Sequence, residues 1–272
     1  MNNTEVRLNE LYGGAIGKYD CSLTAYVPDA MDGESPDKRR DAVLICPGGG
    51  YHMVSRREAE PIALAFASRD VAAFVLRYSV RESSDAVFPV QLLQAAAAAD
   101  YIKRNAAALR VNPNRVSVCG FSAGAHLAAS LGVLYKSKHV KEAFGEFDLR
   151  PSKMILGYPV LISDKQIYHG GSFMNVSGGD AAVTEYLSLD KHIDKDTPPS
   201  FLFHTSDDTV VDVRNSLLFA AALRKNGVPF ELHVYPRGPH GISLATSLTS
   251  GSCAEDARIA NWICDAAAFL RL

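Results

Sequence analysis

The segment that most constrains the fold is the pentad GFSAG, which places Ser122 between Gly120 and Gly124. The pentad follows the alternating run RVSV and precedes the helix-like stretch AGAHLAASLGVL. Neighbours without bulky side chains allow a strand to turn sharply into a helix, with a serine hydroxyl standing at the bend. The pentad therefore predicts a strained nucleophile elbow at Ser122. The alternative is that Ser122 is simply a small residue in a tight turn.

Segments typical of strands alternate with segments typical of helices along most of the chain. Two early strands are predicted near residues 6–8 and 23–27, before the polar loop DAMDGESPDKRR. Later strands are predicted at AVLICPGG, VAAFVLRYSV, RVSVCG, KMILGYP, FLFHT and FELHVYP, with helices near residues 57–69, 90–108, 213–225 and 256–270. This alternation predicts an α/β fold with a mostly parallel central sheet and helices on both faces. Ligands are then expected at the carboxyl ends of the strands.

One segment interrupts the alternation. Residues 160–198 are rich in glycine and mixed in polarity, and they are too long for an ordinary connection. We expect a short lid-like insertion over the strand ends, within a single domain that spans residues 1–272. A packed surface excursion is the alternative for this segment.

Charge and composition argue against several classes of partner. The 28 Lys and Arg residues nearly balance the 30 Asp and Glu residues, so we expect neither nucleic acid nor an anionic membrane surface as a partner. The first residues, MNNTEVRLNE, lack the basic and apolar regions of a signal peptide. We therefore expect a cytoplasmic protein whose partner is a small-molecule ester. The sequence carries no signal for the oligomeric state.

The cysteines predict reduced thiols. They are five in number, widely spaced and without a C-x-x-C pair: Cys21, Cys46, Cys119, Cys253 and Cys264. No H-E-x-x-H motif accompanies them, so we expect neither a metal site nor another cofactor.

A serine nucleophile requires a general base and an acid that orients it. Asp207 and Asp208 directly follow the predicted strand FLFHT, and His240 lies in a Gly-Pro-His-Gly loop after the next strand. Either aspartate could be the acid, although Asp after a strand is also common as a cap or turn residue. His240 has little packing reason to be in such a loop, which favours a catalytic role.

Taken together, these motifs give the chain a family resemblance. From about residue 42 onward it resembles an α/β-hydrolase-fold serine esterase of the acetyl esterase and xylan esterase-like branch, related to the hormone-sensitive lipase group. The motifs that carry the resemblance are PGGGY, GFSAGAHLA, DTPPSFLFHTSDD and YPRGPHGISLA. The chain order Ser, Asp, His is also that of α/β-hydrolases. The resemblance implies Ser122 as nucleophile, His240 as base and Asp207 as the third member of a catalytic triad.

The resemblance also implies an oxyanion hole made by the backbone amides of Ala123, Gly49 and Gly50. One departure is Pro47, which stands where lipase-group members usually have a histidine. A simple turn is the alternative for these glycines. We further expect Tyr51 and Phe121 to bind substrate by narrowing the acyl site.

The predicted function is hydrolysis of short acyl esters, acetyl first, on carbohydrates or similar small polar alcohols. Alternatives are a feruloyl or aryl esterase, a dipeptidyl-peptidase-like serine peptidase, and a binding protein that has lost catalysis. Among the other histidines, His126 is expected to bond within the structure, and His52 and His169 to line the pocket. His139, His192, His204 and His233 have no metal-ligand spacing.

Overall fold

The computed structural model describes residues 2–250 and 256–272. Within them, eight strands form one sheet in the order β1-β2-β4-β3-β5-β6-β7-β8. The strands are β1 (Asn2–Arg7), β2 (Ser22–Val27), β3 (Arg40–Cys46), β4 (Val71–Arg77), β5 (Val111–Phe121), β6 (Met154–Gly157), β7 (Ser200–Thr205) and β8 (Phe230–Tyr235). β2 pairs antiparallel with β1 and with β4, and every pair from β4 to β8 is parallel. The prediction of a mostly parallel α/β sheet is confirmed.

Helices connect these strands and cover the sheet. They are α1 (Leu8–Tyr12), α2 (Glu60–Ala67), α3 (Val90–Arg104), α4 (Ala123–Leu134), α5 (Lys138–Phe144), α6 (Gly170–Ser177), α7 (Ala181–Tyr186), α8 (Arg214–Lys225), α9 (Ser247–Ser250), α10 (Ala257–Ala260) and α11 (Trp262–Arg271). Short 3-10 turns lie at Gly13–Ile16, Arg56–Glu58 and Leu189–His192. The helix predicted over residues 256–270 is two helices, α10 and α11, separated at Asn261.

The core forms two layers, because successive side chains of a strand point to opposite faces of the sheet. In β3, Leu44 and Cys46 join the layer that contains α3 and α4, whereas Val43 and Ile45 join the layer that contains α2 and α11. This alternation places Cys46 and Cys119 on opposite faces, although their strands are neighbours. Both thiols are buried and free, and Cys253 lies outside the described residues.

The parallel pairing of β3, β5 and β6 positions the site. Cys46 pairs with Gly120, and Phe121 pairs with Gly157, so the loops that follow these strands leave the sheet side by side. Residues 160–198 follow β6 and contain α6, α7 and the last 3-10 turn. None of the described helices is long and apolar enough to cross a lipid bilayer.

Candidate active site

Ser122 occupies the bend between β5 and α4. Its backbone has φ 53° and ψ −122°, a conformation that is strained for any residue other than glycine. A Cβ at Gly120 would lie 2.3 Å from the carbonyl oxygen of Gly124, and one at Gly124 would lie 2.1 Å from the carbonyl oxygen of Cys46. The two glycines therefore permit the close approach of backbones that the bend requires. The elbow predicted from the pentad is confirmed.

His240 bridges Ser122 and a carboxylate. Its Nε2 lies 2.8 Å from Ser122 Oγ, and its Nδ1 lies 2.7 Å from Asp208 Oδ2. A neutral imidazole that donates its Nδ1 proton to the carboxylate presents the Nε2 lone pair to the serine hydroxyl. This geometry suits a base that accepts the serine proton.

The carboxylate at His240 belongs to Asp208, so the assignment of Asp207 is wrong. Asp207 is exposed, and its Oδ1 accepts a hydrogen bond from the backbone amide of Gly238 at 2.8 Å. Its side chain thereby tethers the loop that carries His240. Adjacent residues direct their side chains differently in the turn after β7, and the Asp208 side chain is the one that turns inward, with no exposed surface.

Several donors hold the Asp208 carboxylate. Its Oδ1 accepts hydrogen bonds from the amides of Val210 at 2.9 Å and Val211 at 3.0 Å. Its Oδ2 lies 3.3 Å from Nε2 of the buried His204. Burial raises the pKa of Asp208, but the hydrogen bonds from His204, His240 and the Val211 amide outweigh burial and hold the pKa below its usual range. Asp208 is therefore anionic at neutral pH.

His204 is the residue of this group that sequence reasoning missed. Its Nδ1 lies 2.8 Å from Ser216 Oγ, and its Nε2 also lies 3.0 Å from the carbonyl oxygen of Val211. A proton on Nε2 is therefore shared between the Val211 carbonyl and Asp208, while Nδ1 accepts from the Ser216 hydroxyl. The sequence feature that points to His204 is its position near the end of a buried strand, four residues before Asp208.

The glycine loop, residues 48–50 after β3, lies against Ser122. A Cβ at Gly48 would lie 3.1 Å from Ser122 Cβ, and the φ values of Gly49 and Gly50 are 120° and 66°. Within the described part of the chain, the amides of Gly49, Gly50 and Ala123 have no hydrogen-bond acceptor. These amides therefore remain the candidate donors for an oxyanion.

Tyr51 and Phe121 do not line the site, so their assignment as substrate-binding residues is wrong. Both side chains are buried. The Tyr51 hydroxyl donates to Nδ1 of His126 at 2.9 Å, since Nε2 of His126 donates to the Leu187 carbonyl at 3.0 Å. Phe121 packs on the opposite face of the sheet, against Trp262. The expected internal bonding of His126 is confirmed.

Ser122 and His240 line an open cleft of about 1260 Å³ whose walls carry both polar and apolar groups. Charged and imidazole side chains on its walls include those of His52, Arg56, Arg57, Arg77, Glu82 and His169. The expectation that His52 and His169 line the pocket is confirmed.

Residues 160–198 contribute to one wall of this cleft. Nδ1 of His169 accepts from the Ser172 amide at 3.2 Å and caps α6. The side-chain amide of Asn175 donates to the Gly50 carbonyl at 2.9 Å. The segment is therefore bonded directly to the glycine loop.

Within residues 2–250 and 256–272, no three His, Cys, Asp or Glu side chains are grouped as a metal ion would require. Asp208 is instead paired with His240 and His204, and His240 is paired with Ser122.

A sequence model of the BD-FAE family matches residues 26–162, which include the glycine loop and the elbow. The chain belongs to the BD-FAE family. A second model, of the prolyl oligopeptidase family, matches residues 162–268, where Asp208 and His240 lie. The two matches together span both halves of the site.

Curated relatives of this BD-FAE protein are longer proteins. It is 36% identical to endo-1,4-beta-xylanase B of Butyrivibrio fibrisolvens over 213 residues, covering 77% of this chain and 33% of that protein. It is 28% identical to an acetylxylan esterase of Xylanibacter ruminicola over 220 residues, covering 78% of this chain and 43% of that protein. The chain thus spans a third to less than half of these two relatives.

Solved structures match nearly the whole BD-FAE chain. An acetyl ester-xyloside bifunctional hydrolase from Caldicellulosiruptor lactoaceticus aligns with TM-score 0.82 and 33% identity, covering 98% of this chain and 95% of that one. MGS-M1, an α/β hydrolase enzyme from a deep-sea metagenome library, aligns with TM-score 0.78 and 34% identity, covering 99% and 96%. The predicted α/β-hydrolase fold and the resemblance to esterases are confirmed.

Proposed function

We propose that this protein is a serine carboxylic ester hydrolase that removes acetyl groups from carbohydrates. The observation that carries the proposal is the hydrogen-bonded chain from Ser122 through His240 to Asp208, with Ser122 and His240 lining an open cleft. The same constellation of serine, imidazole and carboxylate performs acyl transfer on several unrelated folds.

In the proposed reaction, Ser122 Oγ attacks the ester carbonyl carbon while His240 Nε2 takes the hydroxyl proton. The carbonyl oxygen becomes an oxyanion, which the amides of Ala123 and the glycine loop stabilise. Collapse of the tetrahedral intermediate breaks the ester bond, and His240 returns the proton to the departing alcohol. Water then attacks the acyl-enzyme with His240 as base, which releases the carboxylic acid and restores Ser122. Asp208 orients His240 and stabilises its transient positive charge.

The cleft carries charged groups that support a polar alcohol. Arginine and glutamate side chains of its wall present hydrogen-bonding groups that suit sugar hydroxyls better than an alkyl chain. The acetylxylan esterase and the acetyl ester-xyloside hydrolase are similar proteins whose names indicate the same class of ester. We therefore assign acetylated xylo-oligosaccharides, or closely similar acetylated sugars, as the substrate class.

The chain in this proposal acts as one hydrolase domain. His169, within residues 160–198, lines the cleft, and the hydrogen bond from Asn175 to the Gly50 carbonyl supports treating this segment as part of the same domain.

A serine peptidase is the second candidate function, because the prolyl oligopeptidase family model matches residues 162–268. The chemistry of Ser122, His240 and Asp208 serves an amide as well as an ester. The leaving group would then be an amine, which His240 protonates as it departs.

One assay measures acetate release from acetylated xylo-oligosaccharides. A second measures kcat/KM for the acetyl, butyryl, octanoyl and feruloyl esters of p-nitrophenol. A third uses a dipeptide p-nitroanilide as the peptidase substrate. Ser122→Ala is the matched control for background hydrolysis. We expect acetate release and an acetyl maximum. A maximum at octanoyl or feruloyl esters contradicts the acetyl assignment, absence of acetate release contradicts the carbohydrate assignment, and faster anilide cleavage favours the peptidase.

A further inference from the structure

A buried carboxylate outside the Ser122, His240 and Asp208 group joins the two loops that form the site. Glu58 is 3% exposed and lies in the 3-10 turn before α2. Its Oε2 accepts a hydrogen bond from the Gly48 amide at 2.9 Å, and its Oε1 accepts one from the Tyr158 hydroxyl at 2.7 Å. One oxygen therefore holds the glycine loop, and the other holds the residue that follows β6.

Tyr158 carries the connection to the general base. Its hydroxyl oxygen accepts from the Ser243 amide at 3.0 Å, three residues after His240. Its ring packs edge-on against the imidazole of His240, with ring centroids 5.1 Å apart and planes at 72°. The hydroxyl of Ser243 also donates to the carbonyl of Arg57 at 2.6 Å. The loop of His240 is thus anchored at Tyr158 and beside Glu58.

Together these bonds form a continuous path from the glycine loop to the base. The path runs from the Gly48 amide through the Glu58 carboxylate and the Tyr158 hydroxyl to the Ser243 amide. Because the Gly48 amide is committed to Glu58, the amides of Gly49 and Gly50 are the ones that remain for an oxyanion. A carboxylate acceptor makes such bonds stronger than a neutral acceptor would.

We propose that Glu58 is a positioning residue that sets the oxyanion donors in register with His240. The inference rests on the proposed hydrolase function, since it assigns Glu58 a part in acyl transfer. Oxyanion donors act only when they are fixed where charge develops, and small displacements of such groups cost large factors in rate. Glu58 contacts the loops and acts through them.

The chain offers a matched control for a purely structural role. Asp100 on α3 is 2% exposed, and its Oδ2 accepts from the Tyr12 hydroxyl at 2.8 Å. It is a second buried carboxylate paired with a tyrosine. It also accepts from Arg104 Nε, and it has no bond to the glycine loop or to the loop of His240. Asp100→Asn therefore reports the cost of disturbing such a pair elsewhere in the fold.

The experiment compares Glu58→Gln, Glu58→Ala, Tyr158→Phe and Asp100→Asn in hydrolysis of p-nitrophenyl acetate. We expect kcat to fall about tenfold in Glu58→Gln and about 100-fold in Glu58→Ala, with KM nearly unchanged. Glutamine keeps one acceptor for the Gly48 amide, which is why its effect is smaller. Asp100→Asn is expected to lower the melting temperature and leave kcat at the wild-type value.

A transition-state analogue separates positioning from general damage. An acetyl-type trifluoromethyl ketone forms a hemiketal oxyanion with Ser122, so its affinity depends on the oxyanion donors. We expect Glu58→Gln to weaken its binding by the same factor as kcat, and the effects of Glu58→Gln and Tyr158→Phe to be non-additive. Tyr158→Phe keeps the ring against His240, so it tests the path even if Glu58→Ala fails to fold.

Wild-type kcat and inhibitor affinity in Glu58→Gln and Tyr158→Phe would overturn the inference, whatever their melting temperatures. The same holds if Asp100→Asn lowers kcat as much as they do. An inactive wild-type enzyme on every ester would instead overturn the proposed function, so the two failures are distinguishable.

Discussion

Asp208 Oδ2 lies 2.7 Å from Nδ1 of His240, whereas the carboxylate of the adjacent Asp207 bonds to the Gly238 amide. The two aspartates therefore serve the same loop in different ways. One orients the imidazole, and the other ties down the backbone two residues before it.

Asp208→Asn should lower kcat by about 10⁴-fold, because an amide at this position favours the wrong tautomer of the imidazole. Asp207→Asn is the matched control, since asparagine keeps an oxygen that accepts from the Gly238 amide. We expect it to retain most of the activity. Steady-state kinetics on p-nitrophenyl acetate decide between them, and a larger loss in Asp207→Asn would contradict the geometry.

Ser122→Ala and Ser122→Gly should both abolish ester hydrolysis and fluorophosphonate labelling, because each removes the hydroxyl that we propose as the nucleophile. Their stabilities should differ. At φ 53° alanine remains strained, whereas glycine adopts this region freely. We expect Ser122→Gly to exceed Ser122→Ala by about 1 kcal/mol in the free energy of unfolding, measured by urea denaturation. Equal stabilities would show that the elbow stores no strain, and residual labelling would show another reactive nucleophile.

The helices and strands could be predicted because the hydrophobic periodicity and the turn-forming residues between segments determine them locally. Ser122 and His240 were identifiable because the residues around each strongly favour a catalytic role, a strained pentad in one case and a Gly-Pro-His-Gly loop in the other. The choice between Asp207 and Asp208 depends on how the turn after β7 directs two neighbouring side chains. Asp208 Oδ1 accepts from the amides of Val210 and Val211 inside the turn. Asp207 instead accepts from the Gly238 amide, a partner 31 positions away in the chain that the sequence of the turn does not identify.

The errors at Tyr51 and Phe121 have a similar origin. Both residues adjoin site motifs in sequence, which suggested contact with the substrate. Their side chains nevertheless enter the two core layers on opposite faces of the sheet. Glu58 and His204 were missed because their importance comes from hydrogen bonds between segments distant in the chain, such as Glu58 to Tyr158.

His126 should make stability depend on pH between about 6.5 and 4. Burial lowers its pKa to about 4, whereas an unfolded histidine titrates near 6.5. The unfolded state therefore binds more protons in this window, so stability is full above about pH 6.5 and falls as the pH drops toward 4. His126→Gln should be less stable at pH 7 and show a shallower decline. Melting temperatures from pH 7.5 to 4.5 test this, and parallel curves for the two proteins would contradict it.

Asp208 should contribute a separate decline at lower pH. Its folded pKa lies below the unfolded value of about 3.9, so its stabilisation is present above that value and is lost as the pH falls below it. The difference in free energy of unfolding between the wild type and Asp208→Asn should therefore shrink below about pH 4. A difference that stays constant to pH 2 would show that the carboxylate is not stabilised as an anion.

His204 should matter for catalysis through Asp208, since its Nε2 lies 3.3 Å from Oδ2 of that carboxylate. Glutamine can place an amide N–H near the position of Nε2, whereas leucine fills similar space without a donor. We expect His204→Leu to lower kcat about 10- to 100-fold, because a carboxylate that loses a buried donor shifts and no longer holds His240 in place. His204→Gln should recover most of that loss, with KM similar in both variants. The ratio of kcat between His204→Gln and His204→Leu, measured together with the melting temperatures of both variants, separates an effect on the orientation of His240 from an effect on stability. Equal kcat values would mean that His204 only packs, whereas recovery by glutamine at unchanged melting temperature requires the donated hydrogen bond.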